Sequence, residues 1–78
     1  MSILHLAYSK QGVDRACARM RSGDELILLG DGVYSVPDGA HWVLEDDMAA
    51  RGLSSTMAIT YDAMVALSIS HDKVVSWP

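Results

Sequence analysis

The stretch Gly23–Val33, GDELILLGDGV, constrains this chain more than any other. Its apolar run ends in Ile27, Leu28 and Leu29, and glycine-aspartate pairs stand on both sides, so it reads as a buried strand with turn chemistry at each end. A continuous apolar run does not alternate, and a strand without alternation has no solvent face. That is the pattern of a central strand in a parallel sheet covered on both sides. Loops after such strands, here Gly30-Asp31-Gly32, lie where α/β proteins tend to place ligands.

The neighbouring segments fit that reading. Ile3–Ala7 is a first strand with His5 as its one polar side chain. Val13, Ala16, Cys17 and Met20 recur at helical spacing, which predicts an amphipathic helix with Cys17 on its apolar stripe and Gly23 at its left-handed cap. Strand, helix and strand in this order form a right-handed βαβ unit. Trp42-Val43-Leu44 is the third strand, Glu45–Arg51 a short helix stopped by Gly52, and Met57–Thr60 a short fourth strand. Tyr61–Ser70 is a helix apolar over more than half its circumference, expected to be buried on several sides or to lie at an interface. Lys73–Trp77 is the last strand.

The weak joint is the connection from Gly30 to His41. Pro37 and Gly39 break a helix there, and Pro37-Asp38-Gly39 reads as a tight turn. The segment just reaches the length of a parallel crossover, and an antiparallel return also fits.

Composition narrows the function. With 78 residues the chain is a single domain spanning 1–78, and its core is small. Half the residues are apolar without any run near the ~20 that cross a bilayer, so the surplus apolar surface points to a partner subunit rather than a membrane. A formal net charge of −4 argues against direct nucleic-acid binding. A single cysteine excludes an internal disulfide, no secretory signal pattern opens the chain, and the expected compartment is the cytoplasm.

Several segments in order, ILHL at Ile3–Leu6, GDELILLGDGVY at Gly23–Tyr34, LEDDMAARGL at Leu44–Leu53, ITYDAMVAL at Ile59–Leu67 and HDKVVSW at His71–Trp77, resemble the DsrH/TusB family of sulfur-relay subunits. The resemblance runs nearly end to end. It implies a three-layer α/β fold of the DsrE type with a mostly parallel sheet of about five strands in the order 4-3-2-1-5. It also implies a heterohexamer with homologous DsrE/TusD-like and DsrF/TusC-like subunits, which hands persulfide sulfur to a TusE/DsrC-like acceptor. In the Tus branch that sulfur reaches the wobble uridine of tRNA; in the Dsr branch the complex serves cytoplasmic sulfur oxidation. The main relay cysteine of the family lies on the DsrE/TusD-type partner, so this chain is at most a sulfurtransferase subunit.

Two departures stand out. Family members carry a longer stretch with a helix between the DGVY and LEDD segments. Its shortening here is expected to uncover part of the sheet, to be filled by a neighbouring subunit or a rearranged loop. The isolated chain is then expected to be poorly soluble or to self-associate. A cysteine at the position of Cys17 is a DsrH-type feature, which TusB-type members often lack.

Cys17 is the one side chain able to carry sulfane sulfur, and Arg15, Arg19 and Arg21 on its helix are candidates to stabilise the thiolate. The competing reading is a small core residue. Gly30-Asp31-Gly32 lacks the GxxxxGK and GxGxxG patterns, so it reads as a strand-ending turn and no cofactor is expected; a stand-alone ligand-binding module at that edge is the remaining alternative. His5, His41 and His71 lack metal-ligand spacing, and His5 reads as a hydrogen-bonded core histidine. Glu45-Asp46-Asp47 reads as capping and solvated surface. Asp31, Gly32, Tyr34, Trp42 and Trp77 are the interface candidates.

Overall fold

A computed structural model describes residues Met1–Pro78. Five strands, β1 (Ile3–Ala7), β2 (Glu25–Leu28), β3 (Trp42–Leu44), β4 (Ala58–Ile59) and β5 (Lys73–Trp77), form one sheet in the order β4-β3-β2-β1-β5, and every neighbouring pair is parallel. The antiparallel return open to the Gly30–His41 connection is not used: Ile27 pairs with Trp42 and Leu28 with Val43 in parallel register.

Three helices cover the sheet: α1 (Lys10–Arg19), α2 (Glu45–Ala50) and α3 (Tyr61–Ser70). Ser9 caps α1, its hydroxyl accepting from the Gly12 N–H at 3.0 Å, and Thr60 caps α3 by accepting from Ala63 N–H at 3.1 Å. The chain leaves α1 through an extended Met20, so Gly23, at φ 90°, serves the turn into β2 and not the helix cap expected of it. Gly52, at φ 68°, follows α2 in the left-handed conformation, as a helix stop should.

The expected gap between β2 and β3 is closed by the chain itself. Gly30–Tyr34 winds into a 3-10 helix that inserts Val33 into the core, where it is 1% exposed. A short tight helix is what a crossover with too few residues for a full α-helix can form. The strand residues beneath it, Leu26, Leu28 and Val43, are all buried, so the sheet is not uncovered. They join Ala7, Val13, Ala16, Val33 and Met48 in the larger core, with Met20, Met57 and Trp77 packed at its margin.

The opposite face is thinner. Leu4, Ile27, Leu29 and Leu44 are buried there against α3, which contributes Met64 and Leu67 but no fully buried residue. Tyr61, Val65 and Ile69 face outward from the same helix and are exposed, so its apolar residues are not all consumed by the core.

Candidate functional site

Cys17 sits in α1 one position past Ala16, and that single step turns it off the buried stripe. Gly12, Val13 and Ala16 face the sheet, while Cys17 is exposed. The expected place on the apolar stripe is therefore corrected: the buried side is centred on 12, 13 and 16, and Cys17 falls on its border. Two open grooves meet at this residue. One, of about 520 Å³, runs between Lys10, Val13, Asp14 and Cys17 on α1 and the Tyr34–Pro37 segment; the other, of about 410 Å³, continues past Cys17 to Met20, Leu26 and Gly39. They occupy the strip where a full crossover helix would lie beside α1, so the shortened connection leaves a furrow along the helix and a closed sheet beneath.

The electrostatics around the thiol run against activation. Partial burial pushes the Cys17 thiol above its ordinary value of 9.0, and the Asp14 carboxylate one turn earlier on α1 adds to the rise. Arg15, Arg19 and Arg21 do not offset this. None of the three exposed arginines lines the grooves beside Cys17, whereas Asp14 does, and α1 ends at Arg19, so Arg21 lies beyond the helix expected to carry it. A protonated thiol is a weak nucleophile.

At the carboxyl edge of the sheet, the loop residues are committed to holding the fold. The Gly30 N–H donates to Asp47 Oδ2 at 2.8 Å, the Leu29 N–H donates to Ala7 O at 2.9 Å, and Gly32 lies so close to the end of β1 that a Cβ there would stand 2.5 Å from Ala7 O. Asp31 is largely exposed and accepts from Arg51 Nη2 at 3.1 Å and Nε at 3.3 Å, while Arg51 Nη1 donates to Asp47 O at 3.0 Å. The Arg51 guanidinium also stands 5.9 Å from the centre of the exposed Tyr34 ring. The crevice that parallel sheets offer to ligands is filled here by the protein's own backbone and one ion pair.

At the amino end, His5 is 2% exposed and carries a full set of partners. Trp77 Nε1–H donates to its Nδ1 at 3.0 Å, with the two rings stacked 6.2 Å apart, and its Nε2 lies 3.2 Å from Asp24 Oδ2. An accepting Nδ1 places the ring proton on Nε2, so His5 is the neutral tautomer donating to Asp24. Asp24 also accepts from the Ile3 and Arg21 N–H groups at 3.0 Å each. Burial pushes its carboxyl up, but these hydrogen bonds and His5 outweigh burial and hold it below 3.8. The core reading of His5 is thus the one the structure supports.

Of the five interface candidates, Asp31 and Tyr34 lie together on the surface beside Arg51. Gly32 is buried, Trp42 packs on the core under α3 with its indole N–H 3.3 Å from Glu25 Oε1, and Trp77 is half-buried on His5. Asp14, Asp24 and Arg51 carry the local electrostatics without having been singled out in sequence, and Asp47, read there as capping and solvated surface, is half-buried and holds the Gly30 N–H instead. Asp24 had a usable signal, an acid in the turn just before the central strand; the others are joined only by tertiary contacts.

The fold and these contacts define a small parallel three-layer α/β domain with an occupied ligand edge and a reachable cysteine beside a surface furrow. Residues 6–74 match the family described as DsrH like protein, and the chain belongs to that DsrH family. Among curated proteins it is similar to Protein TusB of Enterobacter sp. (strain 638), 33% identical over 72 residues covering 70% of this chain and 76% of the relative. It is likewise 33% identical over 75 residues to Protein TusB of Klebsiella pneumoniae subsp. pneumoniae, covering 74% and 79% of the two chains, and 31% identical over the same length and coverage to Protein TusB of Escherichia coli O1:K1. An alignment 72 residues long that draws on 70% of this chain requires residues in the relative that this chain lacks, in keeping with a shortened connection.

Proposed function

We propose that this chain is a subunit of a heteromeric sulfur-relay complex in the cytoplasm, acting as an assembly and docking subunit while the main persulfide carrier sits on a partner. Its partners on this reading are DsrE/TusD-like and DsrF/TusC-like subunits and a TusE/DsrC-like sulfur acceptor, and the sulfur is destined for the wobble uridine of tRNA. Family membership and the TusB relatives support the relay. The observation that favours an assembly role is the setting of Cys17: it is reachable, yet it shares its groove with Asp14, and burial and that carboxylate both push its thiol above the ordinary value. The chain's acidic balance agrees with a role that does not grip RNA directly.

The exposed position of Cys17 in the furrow favours one second reading, a transient carrier. In that step the Cys17 thiolate attacks the terminal sulfur of a donor persulfide, the donor S–S bond breaks, the donor cysteine leaves as a thiolate, and Cys17 holds the new S–S bond. Docking of a cationic partner surface over Asp14 is what that step would need.

Cys17→Ser separates the two readings. Chain co-expressed with its homologous partners is purified, loaded with sulfane sulfur and weighed intact. An assembled complex that passes sulfur normally supports the docking role; an assembled complex without transfer assigns the carrier role to Cys17. A wild-type chain that associates with no homologous subunit overturns the proposal.

A further inference from the structure

We propose that the outer edge of β5 is a pairing edge that joins two copies of this chain through a two-fold axis at Val75, making one continuous sheet. The backbone hydrogen-bond pattern carries it. β5 is an edge strand, with β1 on its one occupied side. The Lys73 N–H donates to Ser2 O and the Trp77 carbonyl accepts from Tyr8 N–H, so the odd-numbered residues of β5 turn their backbone groups toward β1. Successive residues of a strand alternate, which leaves the N–H and C=O groups of Val74 and Ser76 pointing away from the sheet. Both residues are exposed.

Those free groups are self-complementary. In an antiparallel pair centred on Val75, Val74 of each copy stands opposite Ser76 of the other, and each such pair exchanges both of its N–H···O=C bonds. Val75 meets its own counterpart in the close, non-hydrogen-bonded position, where β-branched pairs pack well. The same register sets Lys73 opposite Trp77 on one face of the sheet, so the ammonium meets an indole ring and never the other copy's Lys73. Val74, 40% exposed, is covered on the face that carries α3. Moving the axis to Val74 still pairs the free-edge groups, Val74 with its own counterpart and Ser76 with Asp72, and moving it to Ser76 sets Val74 against Pro78, which has no N–H; either shift loses both Lys73–Trp77 pairs, which is what favours the axis at Val75. The opposite edge of the sheet cannot serve, since β4 has two residues. A second copy is the occupant because its β5 supplies the matching donors, acceptors and side chains.

The test uses the full chain in sedimentation equilibrium, with backbone amide exchange read by NMR. Val74→Pro and Ser76→Pro each remove a free-edge N–H and leave the β1 ladder intact, a position where edge strands accept proline. The wild type is expected to dimerise with slowed exchange at Val74 and Ser76. Each proline variant is expected to keep its folded spectrum and weaken the dimer at least about tenfold. Lys73→Glu, which leaves the backbone untouched, is expected to weaken it less. A folded proline variant that dimerises as the wild type does overturns the proposal. So does a monomeric wild type with fast exchange at both amides, or protection of those amides that arises only when a different chain is added.

Discussion

Gly32→Ala is the sharpest test of how the carboxyl edge is built. Gly32 does not have a left-handed φ, so alanine's backbone preferences are satisfied there and the whole effect comes from space. An added Cβ would lie 2.5 Å from Ala7 O and 3.2 Å from Ala7 C, both backbone atoms at the end of β1 that cannot rotate away. Relief requires the 3-10 helix to lift from β1. That movement strains a well-packed contact, costing about 1–3 kcal/mol, and stretches the 2.9 Å Leu29 N–H to Ala7 O bond, worth about 1 kcal/mol. The sum is roughly 2–4 kcal/mol, a large part of the ~4–12 kcal/mol expected for a domain of this size. Gly39→Ala is the matched control, because nothing lies within 4 Å of its added Cβ. Urea titration followed by circular dichroism should move the midpoint of Gly32→Ala far below wild type with an unchanged slope, and leave Gly39→Ala within about 0.5 kcal/mol. Equal midpoints for the two variants would refute the close approach, and with it the conclusion that Gly32 is a packing residue.

Iodoacetamide should alkylate Cys17 in the native protein, with a rate that rises through a midpoint above 9.0; Asp14→Asn should speed the reaction at pH 8, and a thiol that reacts only after unfolding would contradict its exposure. The Asp24 carboxyl is depressed on folding, so its contribution to stability is present above pH 3.8 and is lost as pH falls through the lower folded value; Asp24→Asn should flatten that acid limb of a melting-temperature profile. Trp77→Phe removes the donor to His5 Nδ1 and leaves a buried lone pair unmatched, which should destabilise by about 1–3 kcal/mol in thermal melts, while Trp42→Phe, whose indole bond is longer at 3.3 Å, should cost less.

The elements that were legible in sequence are those whose pattern is local. Ile3–Ala7, Trp42–Leu44, Tyr61–Ser70 and Lys73–Trp77 announce themselves by periodicity and by the breakers around them, and all four lie where the pattern puts them. The non-alternating run at Ile27-Leu28-Leu29 already demanded a central, doubly covered position, and the strand order with β2 between β1 and β3 meets that demand. The order of the remaining strands came from the family resemblance, since period and turn chemistry do not rank strands in space.

What needed the tertiary structure is the direction in which single side chains point and the use made of a short connection. Cys17 lies about a quarter-turn of helix from Ala16, and whether that angle faces core or solvent depends on how α1 is rolled against β1 and β2, a packing choice made by Gly12, Val13 and Ala16 together. The 3-10 helix at Gly30–Tyr34 could not be anticipated, because a five-residue segment with two glycines has little helical preference of its own and is held by distant groups, Asp47 accepting from the Gly30 N–H and Ala7 O from the Leu29 N–H. Period, charge and breakers are properties of neighbouring residues and were readable along Gly23–Val33. The state of the thiol and the filling of the carboxyl edge arise from groups far apart in the chain, and only the folded protein brings them together.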